Sequence, residues 1–189
     1  RGELGNMLKY SRFIPQAAQR GGTVIVRVSP QLLSLRSRSF PQATFISEQE
    51  PLPPYDLQCP VLSLPHARGT TLATLPSPDG FLIPDPEKVA FWKQRIQQDS
   101  HQTARSLRIG LVWAGAPHSE IREAEVADRR RSTSLAPLAP LADAVPDAIF
   151  FSLQVGEQSC QGRTPPENMT LVDPTPDMTN FYDTAAQIA

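Results

Sequence analysis

Residues 107–113 read LRIGLVW and form the clearest strand pattern in the chain. Ala114 and Gly115 follow the run, then comes a polar loop, and a helix is predicted from about residue 135 to 145. A short, nearly continuous apolar run is typical of a strand that is buried on both faces in a parallel sheet. The order strand, loop, helix therefore predicts an α/β unit.

A second apolar run, TVIVRV at residues 23–28, predicts another buried strand. We expect these two strands to be central in two separate sheets. A helix is predicted from about residue 6 to 20, and Pro15 inside it should kink the helix or mark a break. Further strands are predicted at 43–47, 56–59, 148–153 and 170–172, and further helices from Pro30, at 61–68, 87–98 and 180–189. Strands that alternate with helices predict an α/β fold with a mostly parallel sheet.

A proline-rich stretch at residues 76–86 separates the two apolar runs. We interpret it as part of an interdomain connection. The predicted organisation is an N-terminal lobe at 1–80, a linker and helix at 81–106, and a C-terminal lobe at 107–189. Both ends of the chain interrupt this pattern, so we expect both lobes to be incomplete.

The composition excludes several classes of protein. The 189 residues are 40% hydrophobic and carry a formal charge of −1, which argues against a disordered chain and against a nucleic-acid partner. No apolar run approaches the roughly 20 residues that span a bilayer. Cys59 and Cys160 lie far apart, and His66 lacks ligand partners at useful spacing, so we expect reduced thiols, no metal and a cytoplasmic protein.

Polar residues follow the predicted strands where ligands bind in open α/β sheets. Trp113 and Gly115 end one strand, Gln154 ends another, and the sequence DRRRS at 128–132 ends the loop between them. Arginine forks beside a hydroxyl fit a diphosphate. The alternative is a solvated basic loop balanced by its acidic neighbours, and Gln154 is equally typical of a polar loop start.

The sequence GELGN at residues 2–6 precedes the first helical pattern. Glycine lets the backbone approach a ligand, and a helix N-terminus offers free N–H groups, so Gly5 is a candidate for a phosphate-binding loop. A simple turn is the alternative interpretation of this glycine pair.

Several stretches together resemble one family. It is the glycosyltransferase-like domain that follows tetratricopeptide repeats in many bacterial proteins, which is related to the lipopolysaccharide heptosyltransferases. The stretches that carry the resemblance are GNMLKYSRFIP at 5–15, PPYDLQCPVLSLP at 53–65, GLVWAG at 110–115, DRRRS at 128–132, FSLQ at 151–154 and FYDTA at 181–185.

This resemblance implies two Rossmann-like lobes of the GT-B type, with the acceptor at the N-terminal lobe and the donor at the C-terminal lobe. It implies inverting, metal-independent transfer of a hexose or heptose from a nucleotide sugar, which is a substrate and not a cofactor. The acceptor is a glycan, a lipid or a protein, and tetratricopeptide repeats are expected upstream in the full-length protein. The implied donor-binding residues are Trp113, Gly115, Arg131, Ser132 and Gln154, while Gly5 belongs to the phosphate or acceptor loop.

Asn6 occupies the position at which the related heptosyltransferases carry the aspartate that is the candidate general base. An amide has no basic lone pair near neutral pH. We therefore expect this chain, as given, to lack transferase activity. The alternative function is a non-catalytic binding or scaffold module on the same fold. An oxidoreductase is disfavoured, because the full glycine fingerprint with an acidic residue about 20 positions later is missing.

Overall fold

The computed structural model describes residues 3–76, 80–100, 107–115, 126 and 129–189. The chain divides into two compact units, each with its own parallel sheet. The first unit contains residues 1–88 and 180–187, and the second contains residues 89–179. This grouping assigns most of the last helix to the first unit, whereas the sequence analysis assigned it to the C-terminal lobe. The α/β class with parallel sheets is confirmed.

The first unit opens with helix α1 (Glu3–Tyr10), a 3₁₀ turn (Ser11–Phe13) and helix α2 (Ile14–Ala18). Of the two predicted outcomes at Pro15, a kink or a break, the structure shows a break into two helices. Pro15 explains the break, because it has no N–H for the Ser11 carbonyl and its ring would clash there. The break falls at Ser11–Phe13, and Pro15 takes a favourable place in the first turn of α2.

Strand β1 (Ile25–Val28), helix α3 (Pro30–Ser39) and strand β2 (Thr44–Ser47) form a βαβ unit. The strands pair in parallel, with Ile25 opposite Thr44. Helix α3 begins at Pro30 as predicted. Its buried side chains are Leu32, Leu35, Arg36 and Ser39, at the spacing of one helix face.

The segment after β2 is largely irregular and exposed. The predicted strand at residues 56–59 is wrong, and all four of its side chains lie in solvent. Prolines at positions 51, 53, 54 and 60 surround it, and a proline lacks the N–H that a sheet requires. A 3₁₀ turn (Val61–Ser63) and helix α4 (Leu64–Ala67) follow as predicted.

Helix α5 (Pro86–Ser100) crosses from the first unit into the second, near the predicted helix at 87–98. Residues 77–79 of the predicted linker, and residues 101–106, lie outside the described residues. The second unit contains strands β3 (Leu107–Leu111), β4 (Ala148–Ser152) and β5 (Leu171–Val172). All pair in parallel in the order β3-β4-β5.

Strand β4 is the central strand of this sheet, so the prediction that residues 107–113 are central is wrong. All five residues of β4 are buried, whereas β3 has a buried side chain only at Leu111. Strand β4, with the sequence AIFFS, is flanked by β3 on one side and β5 on the other. In the first unit the described sheet has two strands, so β1 has a single partner.

A 3₁₀ turn (Ala136–Leu138) and helix α6 (Ala139–Ala144) connect towards β4, and 3₁₀ segments cover Glu157–Arg163 and Thr175–Asp177. The core of this unit contains Leu111, Trp113, Leu135, Ala142, Ala148, Phe150 and Met169. Gly110 allows close packing over β3, because a Cβ there would lie 2.7 Å from Leu153 Cδ1.

Helix α7 (Phe181–Ile188) ends the chain and is capped by Asn180, whose side chain accepts a bond from the Tyr182 N–H at 2.8 Å. The buried Asp183 pairs with Lys88, and the Tyr182 hydroxyl donates to the Ser34 carbonyl at 2.6 Å. Burial raises the pKa of Tyr182. Among the described residues, no helix is both long and apolar enough to cross a bilayer.

Arg36 is the unusual member of the first core. Its side chain on α3 is fully buried, and none of its three guanidinium nitrogens has a hydrogen-bond partner in the described structure. Burial lowers the pKa of Arg36 to about 10. The group is therefore still charged at neutral pH, where the cost of burying it is fully present.

We predict that Arg36→Met stabilises the protein by about 1–3 kcal/mol at pH 7, because an apolar side chain replaces an unpaired buried cation. The measurement is urea unfolding. Arg38→Met on the same helix is the matched control, since that side chain is exposed, and it should change stability by less than about 0.5 kcal/mol. A loss of stability on Arg36→Met would show that the guanidinium has a favourable partner.

Candidate functional site

The side-chain amide of Gln154 ties the ends of β3 and β4 together. Gln154 is buried, and its Oε1 accepts bonds from the N–H groups of Trp113 at 3.0 Å and Ala114 at 2.9 Å. Its Nε2 donates to the carbonyls of Ala114 at 2.9 Å and Val155 at 3.0 Å. An amide offers two acceptor lone pairs and two donor hydrogens, so all four are used. Gln154 thus supports the end of β3, and its side-chain amide keeps no donor or acceptor for a ligand.

The end of the long loop returns to the same strand end. The Gly115 N–H donates to Ser132 Oγ at 3.1 Å, and the Thr133 N–H donates to the Trp113 carbonyl at 2.8 Å. A Cβ on Gly115 would lie 3.5 Å from both Nε and Nη2 of Arg131, so the guanidinium lies beside this glycine. The five predicted donor-binding residues therefore lie together. That they bind a donor stays a prediction.

Trp113 stabilises this edge of the sheet by packing and by one hydrogen bond. Its indole is buried, and Nε1 donates to the Gln158 carbonyl at 3.3 Å. Gln158 lies in the 3₁₀ segment Glu157–Arg163, which the chain enters through Gly156 at φ 83° and ψ −164°. That conformation is essentially restricted to glycine. Gly156 therefore sets the turn that carries the segment over the indole.

The exposed polar groups at this edge belong to side chains. The backbone N–H groups of residues 113–115 are all used internally. Arg131 is exposed, and the helical Arg129 and Arg130 beside it are exposed as well. Ser132 Oγ accepts from Gly115, so its own hydroxyl hydrogen is available to donate. Two neighbouring positions thus offer donors of the kind that phosphate oxygens accept.

The N-terminal candidates lie in a different local structure from the predicted one. Gly5 was expected in a turn before the helix and Asn6 at its start, but both lie in the first turn of α1, which begins at Glu3. Both are exposed, and a Cβ on Gly5 would meet no atom within 4 Å. Close packing therefore does not require a glycine at this position. Gly2, like Asp128 of the basic loop, lies outside the described residues.

The sequence analysis missed Asp173, which follows β5 at the same edge of the second sheet. Its Oδ1 accepts bonds from the Thr175 N–H at 3.1 Å and the Thr175 hydroxyl at 2.6 Å. The sequence did contain an indication of this turn, because an aspartate two residues before a threonine is typical of a turn that the aspartate side chain closes. Each of the three strands therefore ends in a residue of this edge: Trp113, Gln154 and Asp173.

A groove of about 310 Å³ lies at the opposite edge of this sheet, far from these residues. Its lining includes Ala142, Asp143, Ala148, Phe150 and Asn168. Within this lining Asn168 already donates to Asp143 at 2.7 Å, and ligands of open α/β sheets bind at the carboxyl edge instead. Among the described residues, no group of three or more His, Cys, Asp or Glu side chains is placed to hold a metal ion.

The chain matches no protein-family model, and no curated protein or solved structure is significantly similar to it.

We predict that Gln154→Ala lowers the free energy of unfolding by about 2–4 kcal/mol, because each buried group left without a partner costs about 1–3 kcal/mol. Urea unfolding measures the loss, and faster hydrogen exchange at the amides of Trp113 and Ala114 localises it. Gln94→Ala on the exposed face of α5 is the control and should be nearly neutral.

The variant Gln154→Glu tests the two hydrogen bonds that the NH₂ group of Gln154 donates. Its second oxygen would face the carbonyls of Ala114 and Val155, which favours the protonated carboxyl and raises its pKa in the folded state. Stability should therefore increase as pH falls from 8 to 5. An unchanged or opposite dependence on pH would contradict the four-bond arrangement.

Proposed function

We propose that the chain is part of a glycosyltransferase that moves a sugar from a nucleotide-sugar donor to an acceptor hydroxyl, with two Rossmann-like lobes of the GT-B type. The observation that carries the proposal is the position of Arg131 and Ser132 at the carboxyl edge of a parallel sheet. Ligands of open α/β sheets bind at this edge. Three of the stretches that resemble the glycosyltransferase-like domain of tetratricopeptide-repeat proteins, at 110–115, 128–132 and 151–154, have residues at this edge: Gly115, Arg131, Ser132 and Gln154.

The proposed chemistry is direct displacement at the anomeric carbon. A base removes the proton of the acceptor hydroxyl, the acceptor oxygen bonds to the anomeric carbon, and the bond to the nucleoside diphosphate breaks. Negative charge develops on the departing diphosphate. Arg131 supplies a guanidinium fork and Ser132 supplies a hydroxyl donor, both of which stabilise that charge. Gln154 contributes by holding the strand end against which these two residues lie.

We predict that Arg131→Ala weakens the binding of nucleoside diphosphates by about 1.5–3 kcal/mol, the usual size of a hydrogen bond to a charged group. Titration calorimetry with UDP, ADP, GDP and CDP measures it. Arg130→Ala is the matched control, because it removes the same charge from the neighbouring position and should have a smaller effect. Equal losses for the two variants would mean that only the overall charge of the loop matters.

A second function, a non-catalytic binding module, is favoured by Asn6. Its amide is exposed on α1 and has no bond to a described residue, so nothing in its surroundings compensates for the missing carboxylate. Removal of a general base typically slows a reaction by about 10²–10⁴-fold. Under this alternative, the donor edge of the second unit still binds nucleotide.

We predict no detectable turnover of nucleotide sugars by the chain as given, and a gain of turnover in a full-length protein that carries Asn6→Asp. Release of nucleoside diphosphate from a panel of nucleotide sugars is the measurement, with Asn6→Ala as the control. Turnover by the full-length protein that Asn6→Asp leaves unchanged would mean that this position is not the base.

A further inference from the structure

The carboxylate of Asp173 is held by one oxygen only. Its Oδ1 accepts both bonds from Thr175, while Oδ2 has no hydrogen-bond or ion-pair partner in the part of the chain that the structure describes. Asp173 is partly buried, and its first oxygen is fixed by two bonds, so the direction of the second oxygen is fixed as well. An ionised carboxylate oxygen accepts hydrogen bonds and donates none.

Asp173 Oδ2 lies near Gly162 and near the edge of the Trp113 indole. The position that a Cβ of Gly162 would occupy lies 3.6 Å from Asp173 Oδ2, 3.8 Å from Leu171 Cδ2 and 3.9 Å from Trp113 Cη2. Gly162 has no side chain, so the described residues leave this position open between the carboxylate and the edge of the indole. Residues at the carboxyl ends of β3 and β5 thus both lie close to Gly162.

The charge of Asp173 determines which part of a ligand it can contact. A carboxylate repels phosphate and accepts a bond from a hydroxyl group. Arg131 and Ser132, beside Gly115, have the opposite preference. One edge of the sheet therefore offers both a place for an anion and a place for a hydroxyl.

We propose that Asp173 Oδ2 binds a hydroxyl group of the nucleotide-sugar donor. This inference rests on the proposed function. The hydroxyl belongs either to the ribose of the nucleotide or to the sugar that is transferred. The two sources share the same chemistry, and different ligands distinguish them.

The test compares Asp173→Asn with wild type by titration calorimetry. Asparagine keeps Oδ1 for the two Thr175 bonds and replaces Oδ2 with an NH₂ group, which cannot accept. Asp147→Asn is the matched control, since Asp147 is an exposed carboxylate just before β4, at the opposite edge of the same sheet. The ligands are UDP, ADP, GDP and CDP, the 2′-deoxy and 3′-deoxy forms of the tightest binder, and the matching nucleotide sugars.

We expect Asp173→Asn to weaken binding about 10- to 100-fold, the range for a hydrogen bond to a charged group. If the ribose is the source, one deoxy nucleotide loses the same factor with wild type and loses nothing further with Asp173→Asn. If the transferred sugar is the source, the affinity for the nucleoside diphosphate stays unchanged and the affinity for the nucleotide sugar falls. Both patterns support the proposal.

Equal affinity of wild type, Asp173→Asn and Asp147→Asn for every ligand that binds would overturn the role of Asp173 and leave the proposed function standing. Absence of all nucleotide binding in wild type would overturn both. If Asp173→Asn fails to fold, Gly162→Ala decides, because its methyl group meets only ordinary contacts and covers Oδ2. Weaker binding by Gly162→Ala supports the proposal, and unchanged binding overturns it.

Discussion

The four hydrogen bonds of the Gln154 carboxamide are the constraint on which the carboxyl edge of the second sheet depends. They join the turn after β3 to the end of β4, at a place where the chain leaves the sheet and its N–H and C=O groups would otherwise lack partners. Because these groups are partly buried, the amide cannot be exchanged for water without cost. These bonds hold the backbone of Trp113 and Ala114 in place. The next residue, Gly115, is held by the hydroxyl oxygen of Ser132, which accepts its N–H.

The residues that the sequence predicted to form one donor site have different roles in the structure. Gln154 and Trp113 point inward and stabilise the edge, whereas Arg131 and Ser132 carry groups that a ligand can reach. Backbone amides often hold phosphate at a strand end, but here the amides of 113–115 are already satisfied. Under the proposed function, phosphate recognition would therefore depend on side chains, and binding should be correspondingly sensitive to their charge.

The two units differ in how completely their polar groups are satisfied. In the second unit, the buried Gln154 has a partner for each donor and acceptor. In the first, the fully buried Arg36 has none for its guanidinium in the described structure. A paired buried amide specifies one arrangement, while an unpaired buried cation lowers stability without specifying anything. The Gln154 amide therefore both stabilises and specifies its part of the second unit, while the unpaired Arg36 lowers the stability of the first.

The sequence by itself determined the α/β class, the parallel pairing and most positions of helices and strands. Apolar runs, prolines and glycines are sufficient for this, because each mainly sets the conformation of its own segment. It also brought Trp113, Gly115, Arg131, Ser132 and Gln154 into one hypothesis, since parallel strands end at the same edge. Tertiary structure decided that β4 is central, that residues 56–59 form no strand and that Gly5 and Asn6 lie inside α1. It also decided that Gln154 bonds to backbone and that Asp173 Oδ2 has no partner among the described residues. Hydrogen-bond partners across about 40 positions of sequence depend on the packed geometry of both strands, which no local pattern encodes.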